Sequence, residues 1–254
     1  MSELKPVSVL MPICNEADVI RHVVEEWQAS VFSRLPAGSE LVLDDCSEDG
    51  TFEILQELRR EFPFIRVNRS ARDGFFNSAI RLYRLAKNEL IFFTDSDGQY
   101  VPADFWRIYE RIDECEMVHG YKSGRCDPFY RKAGSLLFNL VSRAYFNSRA
   151  KDVNSAFRLV RRQSLDAVLG SIRHLRMMPN AELYLRLERQ GHRISNVPVR
   201  HRARTNGPSR SIPLFKFFRE GFFALAGLRR LKRELAASEP TRPFDLPHVT
   251  RPTY

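Results

Sequence analysis

The chain has 254 residues, of which 43% are hydrophobic, so it can form one large folded domain and is not intrinsically disordered. No apolar run approaches the roughly 18 uncharged residues of a membrane-spanning helix. The apolar run at residues 7–14 lacks the basic start and cleavage site of a secretory signal. The four cysteines show no CxxC pairing, which argues against a zinc site and favours a reducing cytosol. We therefore expect a cytoplasmic protein, soluble or peripheral at a membrane.

The net charge of +9 is concentrated in one segment. Residues 200–235 contain ten Lys or Arg and two acids, so this segment alone carries +8. The basic partner surface is therefore expected to be local. No nucleic-acid-binding motif accompanies the charge, so we expect no nucleic-acid partner.

The first 120 residues alternate between strand-like and helix-like patterns. Buried strands are predicted at 7–11 (ended by Pro12), 40–43, 65–67, 90–94 and 117–119, and helices at 17–30, 51–62, 77–87 and 102–114. This alternation predicts an α/β fold, with a mostly parallel central sheet and helices on both faces. Ligands of such sheets bind at the carboxyl ends of the strands, where three polar clusters lie here.

The second half is more helical. Helices are predicted at 135–146, 181–190 and, basic and Phe-rich, at 211–235; strands are predicted at 154–160 and 195–199. The second of these strands carries Pro198, which is typical of a sheet edge. The tail at 236–254 holds four prolines and is expected to be irregular.

Asp95 and Asp97 directly follow the buried strand at 90–94. Two carboxylates at this spacing can both reach one Mg²⁺ or Mn²⁺ ion, and Gln99 can add an oxygen. Such an ion would neutralise the charge that develops on a diphosphate leaving group. The alternative is an Asp-rich turn in which Asp97 or Asp104 caps a helix.

Two further clusters follow the first and second strands. Asp44 and Asp45 end one strand, and residues 47–51 combine Ser, Asp, Gly and Thr before a helix. A carboxylate there can accept hydrogen bonds from a nucleobase or a ribose. Helix capping explains residues 49–51, but it does not explain two consecutive acids, which repel each other without a partner. Glu16 suits a nucleotide hydrogen bond, or it simply follows a strand end and caps a helix.

The three clusters are PICNE (12–16), DDCSEDGT (44–51) and DSDGQ (95–99). In order and spacing they resemble the PxYNE, DDxSxDGT and DxDxQ motifs of family 2 glycosyltransferases, in the dolichol-phosphate-mannose-synthase-like group. The resemblance covers the first half of the chain closely and the second half more loosely. It implies the GT-A fold and an inverting, metal-dependent transferase that uses a nucleotide-diphospho-sugar, with UDP or GDP as the nucleotide.

The resemblance also implies roles for single residues. Nucleotide-sugar binding is implied for Pro12, Glu16, Asp44, Asp45, Ser96, Gln99, Lys122, Arg204 and Arg210. Metal binding is implied for Asp95, Asp97 and Gln99, and catalysis for Asp97 and Asp152. Cys14 stands where the family usually has an aromatic residue, so a stacking contact is lost. Lys122 stands where the family often has Arg, and it lacks the bidentate geometry of a guanidinium.

Three features of the second half resemble the acceptor side of the family, and each has an alternative. Asp152 is a base or an orienting carboxylate, or a loop acid paired with Arg149 or Arg158. Glu182 is a functional helix acid or part of a structural ion pair. The loop at 202–210 grips a phosphate through its arginines, or is simply solvated.

The expected organisation is a glycosyltransferase domain at 1–210, with a nucleotide-binding half (about 1–120) and an acceptor half (about 121–210). The helix at 211–235 either contacts an anionic membrane or docks on the protein core or a dimer partner. A polyprenyl-phosphate acceptor fits this basic, Phe-rich end. The rival functions are transfer to a saccharide acceptor, a binding module without turnover, and a basic membrane or nucleic-acid adaptor.

Overall fold

A computed structural model describes residues 3–123, 129–203 and 214–237. Its strands are β1 (Val7–Ile13), β2 (Glu40–Asp45), β3 (Ile65–Arg69), β4 (Leu90–Phe93), β5 (Met117–Ser123), β6 (Arg158–Arg161) and β7 (Ile194–Arg200). Its α-helices are α1 (Ile20–Trp27), α2 (Thr51–Glu61), α3 (Phe75–Leu85), α4 (Phe105–Tyr109), α5 (Phe129–Phe146), α6 (Arg162–Leu169), α7 (Pro179–Arg189) and α8 (Leu214–Ala237). A π-helical turn (Gln28–Phe32) and two 3₁₀ turns (Pro102–Asp104, Ile112–Glu114) complete the regular structure.

The seven strands form one sheet in the order β3-β2-β1-β4-β6-β5-β7. Neighbouring strands run parallel from β3 to β4 and between β5 and β7, while β6 is antiparallel to both of its neighbours. The predicted mostly parallel sheet is confirmed, and the predicted edge strand is β7. Both halves of the chain share this sheet, while the division into 1–210, 211–235 and 236–254 stays a prediction.

Helices cover both faces of the sheet, as two neighbouring residues of β4 show. Consecutive side chains of a strand point to opposite faces. Phe92 packs against Trp27 of α1 and Phe105 of α4, with ring centroids 5.6 and 5.0 Å away. Phe93 packs against Tyr83 of α3 at 5.2 Å. All five rings are nearly or fully buried, so both faces are sealed by aromatic packing.

Several predicted boundaries need correction: α5, for example, begins at Phe129 and not at 135. Three other cases follow. β1 continues past Pro12 to Ile13, because these residues still pair with Asp44 and Asp45 of β2, while the pairing of β1 with β4 ends at Leu10. The helix predicted at 102–114 is divided into a 3₁₀ turn, the short helix α4 and a second 3₁₀ turn, and Arg161 binds the carbonyl oxygens of Ile112 and Cys115 at its end. The strand predicted at 154–160 begins only at β6, because a turn at 152–155 keeps that segment out of the sheet.

α8 docks on α5 and α7 and buries Leu228, Leu231 and Leu235. Of the two alternatives for this helix, packing on the protein's own core is therefore confirmed for one face, while Phe222 and Phe223 of the same helix are exposed. Within residues 3–123, 129–203 and 214–237, every helix is too short or too polar to cross a membrane.

Candidate functional site

The loops that follow β1 and β2 hold each other in place. The backbone N–H of Asn15 donates to Ser47 Oγ at 2.6 Å, and that of Glu16 donates to Thr51 Oγ1 at 2.9 Å. In return, Asn15 Oδ1 accepts the N–H of Glu48 at 2.7 Å. Asn15 has φ of 56°, a left-handed conformation that Asn tolerates better than most residues. The Ser, Thr and Asn of these two motifs thus fix the geometry of the loops, while the side chain of Glu16 points into the cleft described below.

The turn after β4 is tied to the end of β1. Ser96 Oγ donates to the carbonyl oxygen of Pro12 at 2.9 Å, so Ser96 positions the turn. Asp97 Oδ1 accepts the N–H of Gln99 at 3.1 Å, and Gly98 between them has φ of 72°, which favours glycine. Asp95 and Asp97 are thereby presented side by side at the carboxyl end of the sheet.

The three motifs surround one cleft of about 300 Å³, called the motif cleft below. It is lined by Pro12, Ile13, Cys14, Glu16, Cys46, Ala71, Arg72, Asp73, Gly74, Phe75, Ser78, Arg81, Asp95, Ser96 and Asp97. The sequence predicted that polar clusters at three strand ends would meet, and the structure brings Pro12, Glu16, Asp95, Ser96 and Asp97 together. The binding roles assigned to these residues stay predictions.

Asp95 and Asp97 form the acidic end of the motif cleft. Burial and the neighbouring Asp97 carboxylate raise the pKa of Asp95 to about 6, while Lys122 and Arg158 act in the opposite direction. Among the described residues, no group of three His, Cys, Asp or Glu side chains could hold a metal ion. Two carboxylates fit Mg²⁺ or Mn²⁺ when substrate oxygens and water fill the other positions, since these ions prefer oxygen ligands. The donor set therefore fits the predicted ion.

Asp44 and Asp45 do not line the motif cleft, because each is buried against an arginine. Asp44 receives two hydrogen bonds from the guanidinium of Arg81, at 2.9 and 3.0 Å, and one from Asn68. Asp45 pairs with Arg69. These partners explain how two consecutive acids are tolerated at a strand end. Arg81 does line the motif cleft, so Asp44 acts on the cleft through Arg81; direct contact of either acid with a nucleotide stays a prediction.

A second set of side chains lies around Tyr100, beside the acidic end of the cleft. The Lys122 ammonium is 5.4 Å from the ring centroid of Tyr100, and the Tyr100 hydroxyl is 3.0 Å from Ser155 Oγ. Burial raises the pKa of Tyr100 to about 12; the charges of Asp95 and Asp152 act in the same direction, and that of Lys122 acts in the opposite direction. Asp152 and Asp95 therefore both lie within electrostatic reach of this tyrosine. Asp152 is buried, and the catalytic role assigned to it stays a prediction.

The first residues of the predicted basic loop are attached to the turn that carries Asp97. The Gln99 side-chain amide donates to the carbonyl oxygen of Arg202 at 3.1 Å, and the N–H of Arg202 donates to the carbonyl oxygen of Gln99 at 2.7 Å. Gln99 thus anchors this segment, and its metal-binding role stays a prediction. Arg202 itself pairs with Glu26 at 2.7 Å. Arg204 and Arg210 lie outside the described residues.

Glu182 has the structural role that was one of its two alternatives. It is fully buried and accepts hydrogen bonds from Arg186, at 2.7 and 3.0 Å, and from the backbone N–H groups of residues 173–175. Arg186 also binds Glu234 of α8 at 2.9 Å. This network joins α7 to α8.

Sequence reasoning missed Arg81, Phe75 and Cys46, which all line the motif cleft. Arg81 lies on the α3 face that meets β2, a contact that no local pattern reveals. Cys46 could have been found from the strand register. Ile13 and Asp45 pair across β1 and β2, and Cys14 and Cys46 are the residues that follow them directly.

The sequence profile of glycosyl transferase family 2 matches residues 8–169, which is more than half of the chain. The chain belongs to this family. The matched range contains all three motifs, and the family that they suggested is confirmed.

One curated relative is the undecaprenyl-phosphate 4-deoxy-4-formamido-L-arabinose transferase of Salmonella paratyphi A, 26% identical over 213 residues. The alignment covers 82% of this chain and 63% of the relative, so the chain spans less than two thirds of that protein.

Two solved structures have the same fold. Mannosyl-3-phosphoglycerate synthase from Rubrobacter xylanophilus has a TM-score of 0.65 at 15% identity, over 96% of this chain and 79% of its own. Glucosyl-3-phosphoglycerate synthase from Mycobacterium tuberculosis, in complex with Mn²⁺, UDP and phosphoglyceric acid, has a TM-score of 0.65 at 18% identity, over 90% of this chain and 78% of its own. The GT-A glycosyltransferase fold expected from the motifs is confirmed.

Proposed function

We propose that the protein transfers a sugar from a nucleotide-diphospho-sugar to a polyprenyl phosphate, with inversion and with Mg²⁺ or Mn²⁺. The observation that carries this proposal is the meeting of Glu16, Asp95 and Asp97 in one cleft at the carboxyl ends of β1 and β4. A solved relative in fold contains Mn²⁺ and UDP, and a curated relative is named for undecaprenyl phosphate. Both the nucleotide and the sugar are left open.

In this mechanism Asp95 and Asp97 would hold the metal ion, which would supply positive charge to balance that of the diphosphate leaving group. Glu16 accepts hydrogen bonds from the nucleoside. Ser96 holds the turn that carries Asp95 and Asp97 against β1 by its hydrogen bond to the carbonyl oxygen of Pro12. Lys122, within reach of Asp95, adds positive charge near the phosphates. An acceptor phosphate is already nucleophilic, so Asp152 orients groups rather than acting as an obligatory base.

We also propose that the protein works as a peripheral protein at the cytoplasmic face of a membrane. Phe222 is 71% exposed on α8, and Arg229 is exposed on the same helix. Exposed aromatic and basic side chains on one helix suit an anionic lipid surface, where each cation contributes about 1 kcal/mol. Flotation with phosphatidylglycerol vesicles, compared between wild type and Phe222→Ser, measures this contact.

The experiment that tests the transfer mixes purified protein, Mn²⁺ or Mg²⁺, and labelled UDP- and GDP-sugars with a polyprenyl phosphate. Label entering the organic phase is counted for wild type, for Asp97→Ala, and for Asp113→Ala as a matched control. Asp113 is about half exposed and lies outside the motif cleft. Label with one donor that is lost only in Asp97→Ala supports the proposal and names the sugar.

Two other outcomes change the conclusion. Metal-dependent donor hydrolysis without lipid label moves the acceptor to a saccharide. If the assay shows neither lipid label nor donor hydrolysis, the catalytic proposal is wrong, and a binding module or an adaptor remains.

A further inference from the structure

A second cavity, of about 270 Å³, lies between the loop at 173–178 and α8; it is called the α8 groove below. It is lined by Arg173, His174, Leu175, Arg176, Met177, Met178, Glu220, Phe223, Ala224 and Arg230. On α8 the lining runs from Glu220 to Arg230, which is about 15 Å along a helix axis. The groove is therefore elongated.

The charges in the α8 groove are mostly positive and only partly neutralised. Glu234 accepts hydrogen bonds from Arg173 at 2.9 Å and from His174 at 2.5 Å, so both of these side chains already have a partner. Glu220, the one acid in the lining, pairs with Arg219 at 3.1 Å. In the part of the chain that the structure describes, Arg176 and Arg230 form no ion pair. The groove thus offers two arginines to an anion.

Its remaining walls are apolar and accessible. Met177 is 45% exposed and Phe223 is 52% exposed, and Leu175 and Ala224 form the floor between them. Exposed Met and Phe side chains adapt to irregular apolar ligands. The combination of two guanidinium groups that form no ion pair among the described residues with an apolar trough fits a phosphate monoester that carries a hydrocarbon chain.

The α8 groove lies next to the motif cleft. The Arg176 guanidinium is 5.5 Å from the ring centroid of Phe76, near the start of α3. The preceding residue, Phe75, lines the motif cleft. A ligand held by Arg176 is therefore separated from the proposed sugar-donor site only by the first turn of α3.

We propose that the α8 groove is the acceptor site: Arg176 and Arg230 bind the phosphate of a polyprenyl phosphate, and Phe223 and Met177 contact its first apolar units. This inference rests on the proposed transfer to a phosphate acceptor and adds where that acceptor is recognised. Recognition combines charge-assisted hydrogen bonds with apolar contact, so neither inorganic phosphate nor a free prenol satisfies the site.

The test is a calorimetric titration of the full chain with farnesyl phosphate, farnesol and inorganic phosphate. The variant is Arg176→Gln with Arg230→Gln, and the matched control is Arg59→Gln with Arg60→Gln, which removes two exposed arginines from the last turn of α2. We expect the groove variant to weaken farnesyl phosphate at least about tenfold while the control binds as wild type, because each guanidinium–phosphate contact is charge-assisted. Farnesol and inorganic phosphate should each bind wild type at least about tenfold more weakly than farnesyl phosphate.

A second variant, Phe223→Ser, removes the apolar wall at an exposed position and should weaken farnesyl phosphate without changing the binding of inorganic phosphate. Equal binding by wild type and the groove variant overturns the proposal, and so does an equal loss in the control. A loss of binding to phosphatidylglycerol vesicles without a loss of farnesyl phosphate binding also overturns it, because the groove would then be a general lipid contact.

The transfer assay separates this proposal from the proposed function. If label enters the lipid and the groove variant keeps the wild-type KM for polyprenyl phosphate, the acceptor site lies elsewhere and the function stands. If neither transfer nor donor hydrolysis occurs while the groove variant still loses farnesyl phosphate, the groove stands and the function falls.

Discussion

Around the motif cleft, charged side chains face an open cavity, whereas between α7 and α8 they form ion pairs with one another. Asp95 and Asp97 come from one turn and face the cleft together. Glu182, Arg186 and Glu234 come from two helices and satisfy each other. The same residue types therefore serve binding in one region and assembly in the other.

The difference shows what to look for when charge is used as a functional signal. Acids that repel each other and form no ion pair among the described residues, as at Asp95 and Asp97, indicate a missing ligand. A carboxylate with each oxygen accepting several donors, such as Glu182, is already satisfied and indicates structure. Arg176 and Arg230 resemble the Asp95 and Asp97 pair, but they carry positive charge and therefore indicate a missing anion. The following predictions test whether the distinction holds, beginning with the largest expected effect.

Replacing Glu182 with Ala should destabilise the protein by about 3–5 kcal/mol, because the change leaves three backbone N–H groups without their acceptor and removes one of the two carboxylates that bind the buried Arg186. Urea unfolding at neutral pH measures the free energy. Glu57→Ala is the control, since Glu57 is exposed and pairs with Arg21 on the surface. Loss of transfer with unchanged stability would instead make Glu182 a functional acid.

Replacing Gly227 with Ala should destabilise the α8 side by about 1–3 kcal/mol, since a Cβ at this position would lie 2.5 Å from the carbonyl oxygen of His174. Gly221→Ala is a matched control on the same helix, where nothing lies within 4 Å of the added atom. The control should be neutral or stabilising by up to about 1 kcal/mol. Thermal unfolding of both variants measures the difference, and equal destabilisation would show that α8 does not pack closely at Gly227.

The contrast between the two regions also explains how much could be predicted from the sequence. The cleft residues follow strands in short motifs, so the ends of β1, β2 and β4 could be located from local patterns alone. The partners of Asp44 and Asp45 could not, because Arg81 and Arg69 lie 37 and 24 residues further along the chain. The same limit applies to Glu182, whose role depends on contacts between separate elements.

The prediction of secondary structure from the sequence failed where contacts between distant residues determine the local conformation. α6 was missed because it begins at Arg162, directly after β6 ends at Arg161, without a loop signal between them. The α8 groove was missed because its walls come from two segments about 50 residues apart, and only their packing creates a cavity.

Asp152→Asn should lower transfer to a polyprenyl phosphate by less than about tenfold, because a phosphate acceptor needs no strong general base. With a saccharide acceptor, loss of a general base would cost about 10²–10⁴-fold. The substitution keeps the backbone oxygen of residue 152, which accepts a hydrogen bond from His119 at 2.7 Å, so the loop should stay in place. Initial rates with each acceptor, with the exposed-site variant Asp166→Asn as control, measure the effect. A loss of several hundredfold with the phosphate acceptor would contradict the proposed role.

Glu234→Gln should remove a stabilisation that depends on pH. Burial opposes ionisation of Glu234, but hydrogen bonds from His174, Arg173 and Arg186 outweigh it and lower the pKa from 4.5 to about 2. A carboxyl group whose pKa is lowered in the folded state stabilises the protein above its unfolded pKa and loses that contribution as the pH falls through its folded pKa. The free energy of unfolding of the wild type should therefore exceed that of the variant at pH 7. The difference should be only about 1 kcal/mol, because the site is partly solvated. The difference should shrink between pH 4.5 and 2, as measured by urea unfolding across this range.

The same series on Glu57→Gln should show a smaller and flatter difference, because Glu57 pairs with Arg21 on the exposed surface. A Glu234→Gln difference that stays constant down to pH 2 would mean that the α8 network stabilises the fold by packing and not by charge.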